Sequence, residues 1–382
     1  MTYNFSYISN ELRDLIESAT EQSHRFEDLL SFRQFDNAYI APYIHWDQSI
    51  GCALDNTGTA ILDSICKEWN ECGDYYNIQQ SQKEDNQVIF LGFFLNIFGH
   101  SYTDNLRKLW FIETEQFKSL IAFGAEVVYT TNRNEPLNNS VKELLRFAGY
   151  DISQARHITE LTQFNKVFIP DNCLRATSYG RIYSKEYKNL IDRIKQSQIA
   201  KKQSNCSFPA KIYFTRSKYI ADKNNKETGE QSIERVFKKN GFTIISPEDY
   251  TFSEQIQMVQ NCHSFAATEG SVAHLCVFCN PHTDVVIINK ANYLNFHQVM
   301  INEFANLNVT YIEAHHSSKV DPEHPWWGPF YLCITKYLER YIGHPIIHVP
   351  YWIRFSYWRY TRNILYRCYN RGRKILNRVF MK

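Results

Sequence analysis

The chain has 382 residues, of which 44% are hydrophobic and 15% aromatic. This length favours two domains of ordinary size, and the apolar content excludes a globally disordered protein. The net charge of +2 argues against nucleic-acid binding by the protein as a whole.

The first part of the chain alternates strand-like and helix-like patterns. Runs rich in Ile, Val, Phe and Tyr predict strands at 37–44, 88–94 and 167–170, and 120–129 has a strand-like end. Apolar residues at helical spacing predict helices at 103–117, 140–149 and 185–200. The polar segment 201–210 has no apolar periodicity, so we predict that it is a linker.

After this linker, strands and helices alternate. The predicted strands are 211–215, 242–246, 264–268 and 285–289, and the predicted helices are 230–240, 253–260 and 272–278. The polar segment 217–229 is predicted to be a mobile loop. Such alternation is typical of βαβ units in a parallel sheet. We therefore expect both halves to be doubly wound, with a ligand cleft between them.

The densest functional signal lies in 247–289, where a strand ends in a Gly-Ser turn and passes into a helix. The backbone N–H groups at Gly270 and Ser271, with the positive end of the helix dipole, suit a phosphate or another anion. Glu269 and His274 flank this turn and add ionisable groups. The alternative is an ordinary tight connection that binds no ligand.

Two further sites in this half have a functional and a structural interpretation. Arg216 ends a predicted strand, where ligands bind in doubly wound sheets, and arginine suits bidentate phosphate recognition. The alternative is a surface ion pair. Glu254 and Gln255 follow Ser253 at a predicted helix start. There Glu254 either favours the helix dipole or binds ligand hydroxyls.

His100 and Asp104 stand four residues apart, so on a helix they share one face. A His–carboxylate pair suits general base catalysis or hydroxyl binding, and the alternative is a cap or a surface pair. Cys276-x-x-Cys279 has no second pair at zinc-finger spacing, and no P-loop, GxGxxG or DxD motif is present. For a nucleotide-sugar substrate, the missing DxD favours diphosphate binding without a metal.

The end of the chain differs in charge from the rest. Residues 351–382 hold nine Lys or Arg and no acid, which leaves 33 basic and 40 acidic side chains, a net charge of −7, on the other 350 residues. Aromatic residues and aliphatic residues at helical spacing predict an amphipathic helix on an anionic membrane. The alternative is a helix docked on the acidic body of the protein.

We expect a cytoplasmic protein at the inner face of the cell membrane. The first residues show no basic region followed by an apolar core, and no apolar run reaches the roughly 20 residues of a membrane span. The ten cysteines have no framework spacing, and several lie in apolar stretches where we expect reduced thiols.

Taken in order and spacing, these elements resemble glycosyltransferase family 61, in its bacterial capsular polysaccharide biosynthesis branch, over roughly 85–290. The segment GHSYTDNLRKLW, from Gly99 to Trp110, is similar to the first family motif. His100 falls on the family His, while Asp104 replaces the usual Glu and Lys108 the usual Arg.

The later family motifs are matched in part. IYFTRS places Arg216 on the family Arg, and the next motif is degraded, with Lys226 near its Arg and Gly229-Glu230 in place of Asn-Glu. A further motif fits well at Pro247, Glu248, Glu254, Gln255 and Ile256. The HGA-type turn of the family is replaced by Glu269-Gly270-Ser271, with His274 in the following helix.

The resemblance implies an α/β, GT-B-like fold of two Rossmann-like domains with the site between them. We predict an acceptor-side domain at 1–203 and a nucleotide-sugar domain at 204–325. A crossover helix region at 326–350 is expected to return over the first domain, and the basic tail follows at 351–382.

The resemblance also implies inverting transfer of a sugar from a nucleotide-sugar donor, with no cofactor and no catalytic metal. The acceptor would be a glycan or a lipid-linked glycan of a capsular or lipopolysaccharide pathway. The alternative is a catalytically inactive component of a polysaccharide assembly complex that binds glycans or nucleotides. A homo-oligomer stays open.

Residue roles follow from this reaction. Asp104 is the first candidate for the base, with His100 as the alternative or as its orienting partner. Arg216 and the Ser271 backbone would hold the diphosphate, near His274. Glu230 and Glu254 would bind hydroxyls. The remaining predicted substrate-binding residues are Lys108, Gln255, Glu269 and Gly270.

Overall fold

The structure is a computed structural model that describes residues 1–45, 49, 51–65, 76–178, 180–199, 208–223, 227–316 and 328–346. The predicted tail at 351–382 and Lys226 lie outside the described residues, as does most of the predicted linker. The predictions made for the tail therefore stay predictions.

Strands and helices alternate along the described chain. The strands are β1 (Thr2–Asn4), β2 (Phe32–Ala41), β3 (Cys52–Leu54), β4 (Gln82–Phe94), β5 (Glu126–Thr131), β6 (Arg156–His157), β7 (Thr162–Pro170), β8 (Leu174–Ala176), β9 (Arg181–Tyr183), β10 (Lys211–Phe214), β11 (Glu227–Thr228), β12 (Thr243–Ile245), β13 (Ser264–Thr268), β14 (Asp284–Asn289), β15 (Asn308–Glu313) and β16 (Phe330–Tyr331). The helices are α1 (Asn10–Glu21), α2 (Phe98–Ser101), α3 (Glu115–Ala122), α4 (Asn139–Phe147), α5 (Lys185–Ile199), α6 (Ser217–Lys223), α7 (Glu230–Lys239), α8 (Phe252–Asn261), α9 (Phe296–Phe304) and α10 (Lys336–Ile342).

The second half of the chain forms a sheet that we call the parallel sheet. Its strand order is β1-β15-β14-β13-β10-β12, and each neighbouring pair runs parallel. Strand β14 is buried from Val285 to Asn289, as expected of a strand covered on both faces. The four strands predicted in this half are confirmed.

The first half forms a sheet that we call the mixed sheet, with the order β3-β2-β7-β4-β5-β6. Strand β2 runs antiparallel to both of its neighbours, whereas β4, β5, β6 and β7 pair in parallel. The sheet of the first half is therefore mixed, with a parallel part at β4–β7 and antiparallel pairing at β2. A parallel connection needs a crossover of a dozen or more residues, and the short link from Ala41 to Cys52 is too small for one.

The first residues of the chain belong with the parallel sheet. Strand β1 pairs with β15, and the Ser9 backbone N–H donates to the Glu313 carboxylate. This segment therefore packs with the parallel sheet, and the predicted domain bounds stay a prediction. Helix α10 places Leu338 in an apolar cluster with Tyr213 and Ile233, so its described part packs on the parallel sheet. The predicted return over the first domain is not observed there.

One apolar cluster contains residues from both sheets, among them Phe94 of β4 and Phe214 of β10. Between the sheets the Tyr102 ring stacks on Phe252 at 6.3 Å and meets the Phe278 ring at 5.7 Å. The two halves therefore share a continuous core at this point. This mixed α/β architecture is compatible with an α/β glycosyltransferase fold, while the GT-B layout stays a prediction.

Two local predictions are wrong. The predicted helix 103–117 is split into 3₁₀ segments at Asp104–Leu106 and Leu109–Glu113, followed by α3. The Arg107 carbonyl lies between the two segments and accepts a hydrogen bond from the Cys173 N–H at 2.8 Å. The Phe111 N–H, its partner in a regular α-helix, bonds to the Lys108 carbonyl instead. The predicted loop 217–229 contains α6 and β11, and β11 pairs with β16.

The described cysteines include one in a disulfide bond and several free thiols. Cys52 is disulfide-bonded, whereas Cys262, Cys276 and Cys279 are free and buried, as predicted. The predicted cytoplasmic location stays a prediction. Among the described residues, none of the helices has the length and apolar character that crossing a bilayer requires.

Candidate functional site

The predicted site residues gather where parallel strands end. Arg216 follows β10, Gly270 follows β13, and Lys290 directly follows β14, at one edge of the parallel sheet. His100 lies in α2, which follows β4 of the mixed sheet. Ligands in α/β sheets bind outside the carboxyl ends of the strands, so both sheets direct their ligand-binding edges to this region.

A close contact joins the two sheets at the site. The Tyr102 hydroxyl donates a hydrogen bond to the Ser271 carbonyl. A Cβ built on Gly99 would lie 2.5 Å from Ser271 Oγ and 2.9 Å from its Cβ. Glycine is therefore required at position 99 by this close approach. The contact brings His100, the next residue, beside the Gly270–Ser271 turn.

Asp104 is the centre of a buried cluster of ionisable side chains, which we call the Asp104 cluster. Its Oδ2 contacts Nδ1 of His100, and its Oδ1 accepts a hydrogen bond from Arg107. Nε2 of His297 lies 3.8 Å from the same Oδ2. Burial alone would raise the pKa of Asp104, but the neighbouring Arg107 guanidinium chiefly holds that pKa well below its usual range. Asp104 is therefore ionised at neutral pH.

The imidazoles of His297 and His274 belong to elements of the parallel-sheet half and lie in a row beside His100. The ring of His297 lies 6.0 Å from that of His100 and 6.2 Å from that of His274. Burial lowers the pKa of His274 to about 3 and holds the pKa of His297 well below its usual range. Within the described part of the chain, neither ring has a hydrogen-bond partner on either nitrogen. Both imidazoles are thus neutral.

A second buried group, which we call the Glu227 cluster, lies beside the Gly270–Ser271 turn. Arg216 donates to both carboxylate oxygens of Glu227, each at 3.0 Å, and Nζ of Lys290 lies 2.9 Å from Oε1. These side chains are only 9–13% exposed. A Cβ built on Gly270 would lie 3.3 Å from Nη1 of Arg216 and 3.8 Å from Nζ of Lys290. Both basic side chains therefore reach the turn, and the buried carboxyl groups of Glu230 and Glu269 lie near them as well.

Residues 98–286 match the model of the family described as Glycosyltransferase 61. The match begins at α2 and ends within β14, so it includes the Asp104 and Arg216 elements and the Gly270–Ser271 turn. It supports a glycosyltransferase of this family, and the bacterial capsular branch stays a prediction. No curated protein matches the chain.

The family match includes the predicted phosphate turn, but the helix after that turn differs from the prediction. It is a 3₁₀ segment, Ala273–Phe278, and its residues are buried. The N–H groups of Ala273 and His274 are bonded to the Gly270 carbonyl, at 2.9 and 3.3 Å. A short 3₁₀ segment has little helix dipole, so positive charge at the turn comes chiefly from Arg216 and Lys290.

Glu230 and Glu269 lie within the residues that match the family model, and both are buried and hydrogen-bonded to other protein groups. Glu230 accepts from the Tyr213 hydroxyl at 2.6 Å and from the Arg216 N–H at 3.2 Å. Glu269 accepts from the Asn295 N–H at 2.9 Å, and burial raises the pKa of Glu269 to about 7. Glu230 therefore positions the backbone of Arg216, and Glu269 joins the turn to the start of α9. Their predicted substrate contacts stay predictions.

The remaining predicted residues cap a helix or bond to backbone carbonyl oxygens of the protein. Glu254 is exposed and forms a capping box with Thr251 at the start of α8. Gln255 is buried and donates to the carbonyl oxygens of Pro247 and Tyr250. Lys108 is buried against backbone carbonyl oxygens, that of Asp63 at 2.8 Å and that of Pro170. The structure does not bring Glu254, Gln255 or Lys108 into either cluster, and their substrate contacts stay predictions.

Four residues of the two clusters were missed at the level of sequence, and one of them, Arg107, stands three positions after Asp104. Lys290 follows a predicted strand, so the strand-end rule that selected Arg216 would have found it. Glu227 falls in the segment predicted as a loop. His297 is a single polar residue at the start of a mostly buried helix, and no local pattern separates it from a core histidine.

A pocket of about 340 Å³ opens on the mixed-sheet side. Its polar lining includes Asp63, Asp171, Asn172 and Arg175, and it shares Arg107 with the small cavity that contains Asp104. This volume is at the lower end of the ~300–1,000 Å³ found for ligand pockets. A small polar ligand in this pocket would therefore lie near the Asp104 cluster.

Proposed function

We propose that this protein is an inverting glycosyltransferase that moves a sugar from a nucleotide-sugar donor to a glycan or lipid-linked glycan, without a catalytic metal. The setting we propose is the synthesis of a capsular or lipopolysaccharide glycan. One observation carries the proposal, namely that the His100–Asp104 pair lies beside the turn reached by Arg216 and Lys290. The reaction needs a proton acceptor and a diphosphate site side by side.

The Glu227 cluster is the proposed diphosphate site. Departure of the sugar leaves negative charge on the diphosphate, and fixed cations in a water-poor site stabilise such charge strongly. Arg216 and Lys290 are held by Glu227 in advance, so little side-chain motion accompanies binding. Glycine at position 270 lets a ligand approach the backbone and both cations together.

The contacts around Asp104 favour His100 as the base and Asp104 as its orienting partner. Both carboxylate oxygens of Asp104 are engaged, by His100 and Arg107, and its side chain is 1% exposed. The His100 side chain is 16% exposed. In the proposed reaction Asp104 holds Nδ1 of His100, and Nε2 takes the proton of the acceptor hydroxyl. This choice reverses the order suggested by the sequence.

The polar pocket beside Arg107 is the proposed acceptor site. Carboxylate, amide and guanidinium groups in its lining suit sugar hydroxyls, which both donate and accept hydrogen bonds. A sugar bound there would lie near the Asp104 cluster, because the pocket and the cavity that contains Asp104 share Arg107.

A panel of nucleoside diphosphates followed by donor turnover tests the proposal. One nucleotide should raise the melting temperature of the wild type, because a ligand that binds only the folded state stabilises it. Arg216→Ala should remove that shift, while Lys218→Ala, which alters an exposed lysine paired with Asp249, should keep it.

Turnover then separates the two candidate functions. The wild type should slowly cleave the matching donor and release nucleoside diphosphate. His100→Gln should bind the same nucleotide but should not cleave the donor. Binding with no turnover of any donor would favour the inactive assembly component. A wild type that binds no nucleotide would overturn the proposed transferase and the nucleotide-binding form of the alternative. Removal of residues 351–382 should abolish binding to anionic vesicles if the tail is the proposed membrane anchor.

A further inference from the structure

The Asp104 cluster has the composition of a transition-metal site. Ligand atoms of His100, Asp104 and His297 all lie within 4.8 Å of one another. The three side chains are 16%, 1% and 7% exposed. Two imidazoles and one carboxylate form a donor set that suits zinc and related ions in proteins.

We propose that His100, Asp104 and His297 bind one divalent transition-metal ion, with Zn²⁺ as the best-matched probe, and that this ion inhibits the transfer reaction. The binding proposal stands on the geometry of the three side chains. The inhibition rests on the proposed function, because the ion would occupy the groups assigned to proton transfer.

The distances fit a metal after a small adjustment. Bonds of ~2.0–2.2 Å to zinc place tetrahedral ligand atoms about 3.3 Å apart. His297 Nε2 and Asp104 Oδ2 are separated by 3.8 Å, so a closure of about half an ångström brings them into range. The His100–Asp104 contact would open as the ion enters. Arg107 on the other carboxylate oxygen would act as the outer hydrogen bond that orients a ligating carboxylate.

The state of His297 points to a ligand independently. It is 6% exposed, and among the described residues neither ring nitrogen has a hydrogen-bond partner. Buried polar atoms are paired in the great majority of cases, so a polar or metal ligand for this ring is expected.

The local charge selects the kind of ion. Hard cations such as Mg²⁺ and Ca²⁺ need several oxygen ligands, and the single carboxylate here is already paired with Arg107. Nitrogen ligands instead favour zinc and its neighbours in the transition series. We therefore expect Zn²⁺ and Co²⁺ to bind and Mg²⁺ not to compete.

The binding test uses the full chain, freed of metal with a chelator and then titrated with Zn²⁺ against a chromophoric chelator. The wild type should take up one ion with high affinity. His100→Gln and His297→Gln should each weaken binding at least tenfold. His263→Gln, which alters an exposed histidine outside the cluster, should have no effect.

A second variant protects the test against misfolding. His297→Cys keeps a ligand at the same position, so it should still bind Co²⁺ and add a thiolate charge-transfer band to the absorption spectrum. Binding that is absent in the wild type, or equal in the wild type and both glutamine variants, would overturn the proposed site.

The inhibition test is separate. Zn²⁺ should slow sugar transfer by the wild type in step with site occupancy, and a chelator should restore the rate. If the chelator abolished transfer, the inhibition would be refuted and the metal-independent mechanism with it. If no transfer were found with any donor, the proposed function would fail while the metal titration kept its own result.

Discussion

The Asp104 and Glu227 clusters are built on the same plan and differ in charge. Each has a buried carboxylate held by an arginine and a second basic side chain. Around Asp104 the buried imidazoles of His274 and His297 are neutral, so Arg107 is the permanent cation beside the carboxylate. Around Glu227 both partners, Arg216 and Lys290, are basic side chains that reach the turn. The comparison shows that partner type, more than burial, fits one cluster to a proton and the other to an anion.

The largest expected effect lies in the Asp104 cluster. His100→Gln should lower kcat by about 10²–10⁴-fold, the usual contribution of general base catalysis. Affinity for the nucleoside diphosphate should not change, because the Glu227 cluster stays intact. Steady-state kinetics and nucleotide binding on the same variant measure both quantities.

Asp104→Asn is the matched variant for this assignment. It should also reduce kcat, because the amide cannot orient His100 as the carboxylate does. If His100→Gln kept near-normal transfer while Asp104→Asn lost it, Asp104 would be the base and His100 its partner.

The next effect lies in the Glu227 cluster. Arg216→Ala should weaken nucleoside diphosphate binding by about 10–100-fold, since hydrogen bonds to charged groups contribute ~1.5–3 kcal/mol. It would also leave Glu227 with Lys290 as its remaining basic partner. Titration calorimetry with Lys218→Ala as the control measures this loss, and equal affinity in both variants would remove the Glu227 cluster from the donor site.

The two clusters also differ in how far sequence could predict them. His100 and Asp104 are four residues apart, and Arg216 ends a strand, so local rules selected all three. His297 joins Asp104 from the other sheet, and Glu227 joins Arg216 through a segment without apolar periodicity. Such partners come together only through tertiary packing, which local periodicity does not encode.

The fold shows the same limit. Four of the six strands of the parallel sheet were predicted, because alternation of buried strands and amphipathic helices is a local pattern. Strand β1 has only three residues, and its partner β15 is about three hundred positions away. The antiparallel direction of β2 likewise depends on its pairing with β7 and not on its own residues.

The contact that links the clusters gives a third prediction. Gly99→Ala would place a methyl group 2.5 Å from Ser271 Oγ. Overpacking of this kind costs about 1–3 kcal/mol of unfolding free energy, and here it would also push His100 away from the turn. Denaturant unfolding and transfer assays should both report a loss. Ser271→Gly in the same chain should restore much of it, whereas additive losses would mean that the two residues do not meet.

The smallest effect tests a buried charge that neither cluster uses. Burial lowers the pKa of Lys108 from 10.5 to about 7. Between these values the unfolded chain holds a proton that the folded chain lacks, so this lysine stabilises the fold more as pH rises from about 7 towards 10.5. Lys108→Met removes that dependence. The stability of the wild type relative to the variant should thus increase by about 1 kcal/mol between about pH 7 and pH 8, since one proton over one pH unit is worth ~1.4 kcal/mol. A constant difference would mean that Lys108 stays charged, in which case its amine is solvated well enough to reach a ligand, as the family resemblance implied.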